Sequence, residues 1–489
     1  LRTIYPMAQG KDSTLMEYEA VIGLETHCQL KTKSKMFCGC ANEFGADPNT
    51  NVCPICLGMP GVLPVPNELA LKLTALTGYL LNCEVPKFAK FDRKNYFYPD
   101  VCKDYQITQF DFPSTTTGYV DFEFGSEIER VRITRAHLEE DVGKNNHFDQ
   151  HSGVDFNRAG VPLLEIVSEP DIRSADMAYD YLNALKDILI YGGISDCDME
   201  KGMVRCDVNI SVRPKGTTEL GTKVEIKNMN TFSGVRRAIN YEVPRQIETL
   251  ESGGKLTQET RRWDDDAGIT ETMRSKEHAH DYRYFPEPDL MPLRPSETWL
   301  EEVRKSIVEL PLARKQRFIK DYGIPAQDAE VFIGNMLLGK FFEKAVHGSK
   351  NTKSVANWVI NNLQAKLVES EITIDELKFE PEAIRELVEI IDSGAISNKG
   401  GQEVFIELFN KGGAPKAIVD AKGLAQVSDS SELDKWCRDA IDANPGPADD
   451  VRNGKENAIN FLKGQVMKAS RGKANPQMVG ETLFKLLKG

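Results

Sequence analysis

Several features are absent from this 489-residue chain, and each absence removes a class of protein. No run of about 20 apolar residues occurs, so no membrane-spanning helix is expected. The opening LRTIYPMAQGKDSTLMEYEA lacks the apolar stretch of a secretory signal. A basic excess is missing too: the net charge of −13 argues against binding nucleic acid over the whole surface, while leaving room for a local basic patch. No Walker A sequence is present, so a nucleotide site here would not be of the P-loop type. No internal repeat or low-complexity tract interrupts the chain. What remains, 40% apolar and 28% charged, is the composition of a soluble globular protein, long enough for roughly two to four domains. Ten cysteines without a signal point to a reducing cytoplasm. Residues 1–16 read as a disordered extension, with Met7 or Met16 as candidate starts.

The most informative stretch is 21–56, VIGLETHCQLKTKSKMFCGCANEFGADPNTNVCPIC. Its first third alternates with the period of a half-buried strand. Ile22, Leu24, Thr26, Cys28 and Leu30 point one way; Gly23, Glu25, His27 and Gln29 point the other. Glu25 and His27, two residues apart on one face, can share a cation or simply meet solvent. Downstream, Cys38-x-Cys40 and Cys53-x-x-Cys56 flank a loop rich in Gly, Asn, Asp and Pro. The spacing is that of a four-thiolate zinc site. Unpaired or redox-active thiols, or disulfides in an oxidising compartment, are the alternatives.

Further strands follow. In 205–213, Arg205, Asp207, Asn209, Ser211 and Arg213 alternate with apolar residues; in 222–228, Lys223, Glu225 and Lys227 do so. Such patterns belong to antiparallel sheets with one core face and one wet face. Residues 139–141 are three successive acids, which crowd unless a cation or base neutralises them; a solvated turn is the bland alternative. Glu165 sits inside the apolar run VPLLEIV, which is costly unless it is paired or metal-bound. Arg93 and Lys94 lie beside aromatics and can hold phosphates, stack on a base, or form a surface loop.

Two helices are expected in this half, over 66–82 and over 174–191. The second has Ser174 as N-cap, Asp176 in its first turn and Gly192-Gly193 as its stop. The proline-dense 285–295 marks a boundary. The expected organisation is α+β: an antiparallel-sheet domain over 17–297, an all-α helical domain over 298–420, and a small helical tail domain over 421–489. The tail turns basic over 451–489, with Arg452, Lys455, Lys463, Lys468, Arg471, Lys473, Lys485 and Lys488 against Glu456 and Glu481, pointing to a polyanion or to a solvated helix face.

With these residues in view, the chain resembles the B subunit of the tRNA-dependent amidotransferases. The matching stretches are VIGLETHCQL (21–30), PGVLPV (60–65), KFDRKNYFYPD (90–100), EEDVGK (139–144), LLEIVSEPDIRS (163–174), RCDVNISVR (205–213), DYRYFPEPDL (281–290) and GQVMKASRGKANP (464–476). The resemblance implies a cradle-shaped antiparallel domain, a helical domain and a tail that touches tRNA. It also implies ATP-dependent phosphorylation of the side-chain carboxylate of misacylated Glu-tRNA(Gln) or Asp-tRNA(Asn). Ammonia released from glutamine by a partner amidase, the A subunit, then displaces the phosphate, and the small C subunit makes up the heterotrimer. No Gly/Ser-rich amidase signature occurs here, so the ammonia source is expected on another chain. Family magnesium ligands map onto Glu25, His27, Glu140 and Glu165. Lys94, Arg205, Lys223 and Lys227 are the candidates for phosphate contacts, with ATP as substrate. The cysteine quartet occurs in some members only, so Zn²⁺ would be structural. A stand-alone ligase using free ammonia and a non-catalytic tRNA-binding scaffold are the competing readings.

Overall fold

The computed structural model describes residues 16–275, 281–426, 430–470 and 473–488. Residues 1–15, and so nearly all of the expected extension, lie outside the described residues. The chain forms two compact units, Leu1–Ala313 and Arg314–Gly489.

Among the described residues the first unit has thirteen strands: β1 (Tyr18–Gln29), β2 (Asp92–Asn95), β3 (Tyr105–Thr108), β4 (Gly118–Phe124), β5 (Glu127–Glu140), β6 (Lys144–His147), β7 (Ser152–Asp155), β8 (Pro162–Ser168), β9 (Val204–Pro214), β10 (Val224–Met229), β11 (Glu259–Asp264), β12 (Ile269–Ser275) and β13 (Phe285–Pro286). Eight of them make the main sheet, in the order β12-β11-β10-β9-β1-β8-β5-β4. Small sheets β13-β2-β3 and β6-β7 accompany it. The pairing is antiparallel except between β10 and β11, which run parallel. A parallel pair needs a crossover, and the helix α3 described next supplies it.

The even-numbered residues of β1 behave as the alternation requires: Ile22, Leu24, Thr26 and Cys28 are buried. Three helices cover that face: α1 (Glu68–Leu80), α2 (Ala175–Tyr191) and α3 (Phe232–Glu251). Each starts on a side-chain cap, from Asn67, Ser174 and Thr231, which satisfies an otherwise orphaned N–H. Leu76, Tyr181, Leu182, Leu185, Val235 and Ile239 join Ile133, Leu164, Val208 and Ile226 of the strands in one core. With that face filled by hydrocarbon, the polar odd-numbered residues of the central strands are all turned to the other side.

The first unit continues beyond 297 to Ala313. The prolines of 285–295 punctuate the chain without ending the unit, because Leu300 and Val303 of the helix Glu297–Arg304 are buried and Val303 joins the same core. Leu310 packs against it as well.

The second unit is helical and contains two hydrophobic clusters. One, over Phe318–Val419, is centred on Phe318, Phe332 and Phe342, the last two stacked at 4.1 Å. The other, over Leu433–Leu487, joins Leu433, Cys437, Leu462, Val466, Val479 and Leu483. Among the described residues no helix is long and apolar enough to cross a membrane.

Candidate active site and thiol cluster

Strand register brings the charged residues of five strands together. His27 on β1 is paired on one side with Glu165 on β8 and on the other with Arg205 on β9. Glu165 is paired in turn with His137 on β5. Arg205, His27, Glu165 and His137 therefore form one row across four strands, at the spacing where cross-strand side chains touch. His27 Nε2 lies 3.4 Å from Glu165 Oε2 and 3.9 Å from Glu139 Oε1. His137 Nε2 lies 3.5 Å from the same Glu165 oxygen and 4.0 Å from Glu139 Oε2. Ligand atoms of His27, Glu139 and Glu165 fall within 4.8 Å of one another, close enough to hold one metal ion.

Glu140 lies apart from this group. The resemblance makes it the family ligand of the acidic triplet, but the strand places it on the opposite face, because consecutive strand residues point to opposite sides. There its carboxylate is ion-paired with Lys103 and accepts the Ile107 N–H at 3.0 Å. Glu139 takes the expected place. The signal is available in the sequence: Ala136 and Leu138 belong to the core, so His137 and Glu139 have to face away from it.

Glu25 also departs from the expected quartet. It belongs to a second, adjoining group on the same face, with Asp207 opposite it on β9 and Glu225 on β10. Asn209 Nδ2 donates to Glu25 Oε1 at 2.7 Å. Lys227 lies among these acids, 2.5 Å from Asp207 Oδ2 and 3.1 Å from Glu225 Oε1. Asp207 and Glu225 stand on faces already marked as charged by alternation; only the register reveals that they meet.

The cations are placed unevenly. Lys94 on β2 lies with its ammonium 5.0 Å from the Tyr282 ring and 5.9 Å from that of Tyr96. Burial works against its charge, yet the carboxylates of Glu139 and Glu165 hold its pKa above the ordinary value. Arg205 Nη2 donates to Asp141 Oδ1 at 3.0 Å. Asp141 is buried and also accepts from Gln29 at 3.1 Å. Lys223 precedes β10 and is exposed, without a described contact to either acidic group.

Electrostatics separates the two carboxylates around His27. Burial, reinforced by the charge of Glu165, pushes Glu139 up to about 7. Burial opposes ionisation of Glu165 as well, but His137, His27 and Lys94 outweigh it and hold that carboxyl well below the usual range. For His27, burial is outweighed by the Glu165 hydrogen bond and the two carboxylates, so its pKa is raised. His137 is pushed down to about 4 by burial, against the pull of Glu165. Buried like charges of this kind call for a cation.

The thiol cluster lies elsewhere in the unit. Sulfurs of Cys38, Cys40, Cys53 and Cys56 fall within 4.8 Å of one another. All ten cysteines are free, which sets aside the disulfide alternative. Cys56 is pushed down to about 4, first by its hydrogen bond with Cys38, with the Cys53 N–H and Lys35 assisting. Cys38 and Cys40 are raised, Cys40 to about 11. The geometry and the chemistry of four soft donors fit zinc.

Sequence comparisons cover nearly all of this architecture. Residues 20–301 match the family described as the GatB/GatE catalytic domain, and residues 340–487 match that described as the GatB domain. The B subunit of the aspartyl/glutamyl-tRNA(Asn/Gln) amidotransferase of Persephonella marina is 53% identical over 474 residues, covering 97% of this chain and 100% of that protein. The protein of the same name from Carboxydothermus hydrogenoformans is 51% identical over 474 residues, covering 96% and 98%. That from Thermodesulfovibrio yellowstonii is 50% identical over 474 residues, covering 97% and 100%. Resting on the same strands that carry the two acidic groups, these matches place the chain in the family of aspartyl/glutamyl-tRNA(Asn/Gln) amidotransferase B subunits.

Proposed function

We propose that this chain is the subunit of a tRNA-dependent amidotransferase that activates and amidates the aminoacyl group. In this reading it uses ATP to phosphorylate the side-chain carboxylate of misacylated Glu-tRNA(Gln), Asp-tRNA(Asn) or both. Ammonia from glutamine, released on a partner amidase chain, then displaces the phosphate. The A and C subunits complete the heterotrimer, and the enzyme serves translation in the cytoplasm. The observation that carries the reading is the row Arg205–His27–Glu165–His137 with Glu139 beside it, adjoining Glu25, Asp207 and Glu225.

A carboxylate is a poor acceptor for ammonia, whereas an acyl phosphate is a good one. Making the latter is chiefly a matter of aligning two anions and neutralising the charge that builds up. His27, Glu139 and Glu165 would hold Mg²⁺, and the acids Glu25, Asp207 and Glu225 offer a second position for a divalent ion. Bound there, Mg²⁺ would neutralise phosphoryl charge as the γ-phosphoryl group moves. Lys94 and Arg205 orient the phosphates. Lys227 balances Asp207 and Glu225. The Tyr96 and Tyr282 rings hold the Lys94 ammonium in place and keep water away from it. Cys38, Cys40, Cys53 and Cys56 would hold a structural Zn²⁺ that stiffens the loop before α1. The basic tail would supply affinity for tRNA through its phosphates.

The test is amidation of misacylated tRNA with ATP and Mg²⁺, with ammonium supplied directly so that the partner amidase is bypassed. The assembled enzyme is expected to amidate, and His27→Ala is expected to abolish amidation while leaving glutamine hydrolysis on the partner largely intact. Near-normal amidation by His27→Ala would overturn this site.

A further inference from the structure

Lys35 is a lysine without water. Its side chain is among the largest in the chain that are fully buried, at 0% exposure. A buried ammonium is costly unless charge meets it. Lys35 Nζ donates to the Asn51 carbonyl oxygen at 2.8 Å and to Cys56 Sγ at 3.7 Å. Among the described residues no carboxylate forms an ion pair with it. Cys56 Sγ also accepts the Cys53 N–H at 3.1 Å. One sulfur thus gathers two donors.

Four thiolates around a divalent ion leave an excess of negative charge in a partly buried place. Lys35 offsets that excess at Cys56. The same segment is tied to the candidate active site through the backbone: Met36 N–H donates to the Gly160 carbonyl at 2.7 Å, and Gly160 N–H donates to the Asp141 carbonyl at 2.9 Å. Asp141 follows β5 directly, two residues after Glu139. Gly160 has φ +83°, a conformation that side-chain-bearing residues rarely adopt, and a Cβ there would come within 3.3 Å of the Cys56 Cβ, so the packing is close.

We propose that Lys35 is the built-in counter-cation of the zinc site, an outer-sphere residue that hydrogen-bonds the Cys56 sulfur and fixes it towards the metal. This inference rests on the reading of Cys38, Cys40, Cys53 and Cys56 as that site. The role is one of positioning: Lys35 acts on the metal through a ligand.

The experiment measures zinc affinity by chelator competition, and the thiolate-to-cobalt absorption bands of the Co²⁺-substituted protein, for wild type, Lys35→Met, Cys56→Ser and the double variant. Loss of an outer-sphere partner typically weakens metal binding about 10- to 100-fold, and that loss is expected for Lys35→Met together with shifted cobalt bands. The losses for Lys35→Met and Cys56→Ser should not add, because the two residues act through one another. With zinc stripped, Lys35→Met should melt no lower than stripped wild type, since it removes a buried charge; with zinc bound the order should reverse. Should Lys35→Met fail to fold, Lys35→Arg keeps the charge and displaces it, and shifted cobalt bands with zinc retained are expected. Unchanged zinc affinity and bands, or additive losses, would overturn the role of Lys35. A wild-type protein that binds no zinc would overturn the zinc reading itself, a different and separately visible result.

Discussion

His27 Nε2 faces Glu165 Oε2 across the β1–β8 pair at 3.4 Å, with the two residues in direct register. That contact centres the candidate site on the junction of two neighbouring central strands. Both backbones are locked by ladders on either side, so these side chains are held by the sheet and not by loops, the arrangement that gives a site its precision.

Glu139→Gln and Glu140→Gln separate the two acids. Glu139→Gln removes a ligand charge from the His27 group and keeps its shape. Divalent-ion affinity, read with Mn²⁺ by electron paramagnetic resonance, should fall, and ammonium-supported amidation should drop by ~10²-fold or more, as when one electrostatic stabiliser is removed. Glu140→Gln leaves the Lys103 ammonium without its carboxylate, so its first effect should be on thermal stability, with Mn²⁺ affinity retained. The reverse pattern would return Glu140 to the ligand set.

Asp141 should make the protein acid-sensitive. Burial opposes its charge, but Arg205, Arg158 and Gln29 win and hold its pKa below the ordinary value. For a carboxyl depressed in the folded state, the stabilisation is present at pH values above the unfolded-state pKa and is lost as pH falls through the folded one. Asp141→Asn, which leaves Arg205 and Arg158 without their shared anion, should cost about 3 kcal/mol at neutral pH. In urea melts the difference from wild type should shrink steadily below pH 4. A difference that stays constant down to pH 2 would assign the stabilisation to something other than this charge.

Cys53→Ser tests the thiol cluster as a structural element. The purified wild type should carry about one zinc, and the variant should lose it, with a lowered Tm and amidation retained at temperatures where the fold survives. Because zinc that stabilises folding does so by favouring the folded state, a chelator should lower the wild-type Tm and leave that of Cys53→Ser unmoved. Freshly prepared reduced protein free of zinc would rule the assignment out.

The tail helices Ile459–Ala469 and Pro476–Lys488 expose Phe461 and Phe484 and carry Lys463, Lys468, Lys485 and Lys488. Each phosphate contact removed should flatten the log–log salt dependence of tRNA binding by ~0.7 to 0.9. Replacing Lys463, Lys468 and Lys485 together by Gln should raise the KM for aminoacyl-tRNA and reduce that slope. Unchanged affinity and slope would make the tail a solvated surface.

Alternation is enough to mark Glu25, His27, Arg205, Asp207, Glu225 and Lys227 as face residues, because period 2 needs no knowledge of neighbours. It cannot reveal which of them meet. Register is a property of strands far apart in the chain, and a one-residue slip exchanges the two faces; Glu139 and Glu140 show the size of that error. His137 is marked by the same alternation as Glu139, since Ala136 and Leu138 belong to the core, but nothing in the sequence says which side chains it meets. The helices α1 and α2 are legible from apolar spacing, and α2 also from its Ser174 cap. The extent of the first unit is not, since prolines report on local backbone and not on which core Val303 enters.

β1 is the earliest strand of the main sheet in the chain and lies in its middle, yet its neighbours begin only at Pro162 and Val204. During synthesis it therefore leaves the ribosome long before either ladder partner exists. Until β8 and β9 follow, both of its edges present free N–H and C=O groups along an apolar face, the template on which strands pair wrongly. Such widely separated pairings also slow folding. A nascent chain halted before Pro162 would expose β1 on both sides, so stalled or truncated products of this protein should aggregate or occupy chaperones even though the finished unit hides every one of those edges.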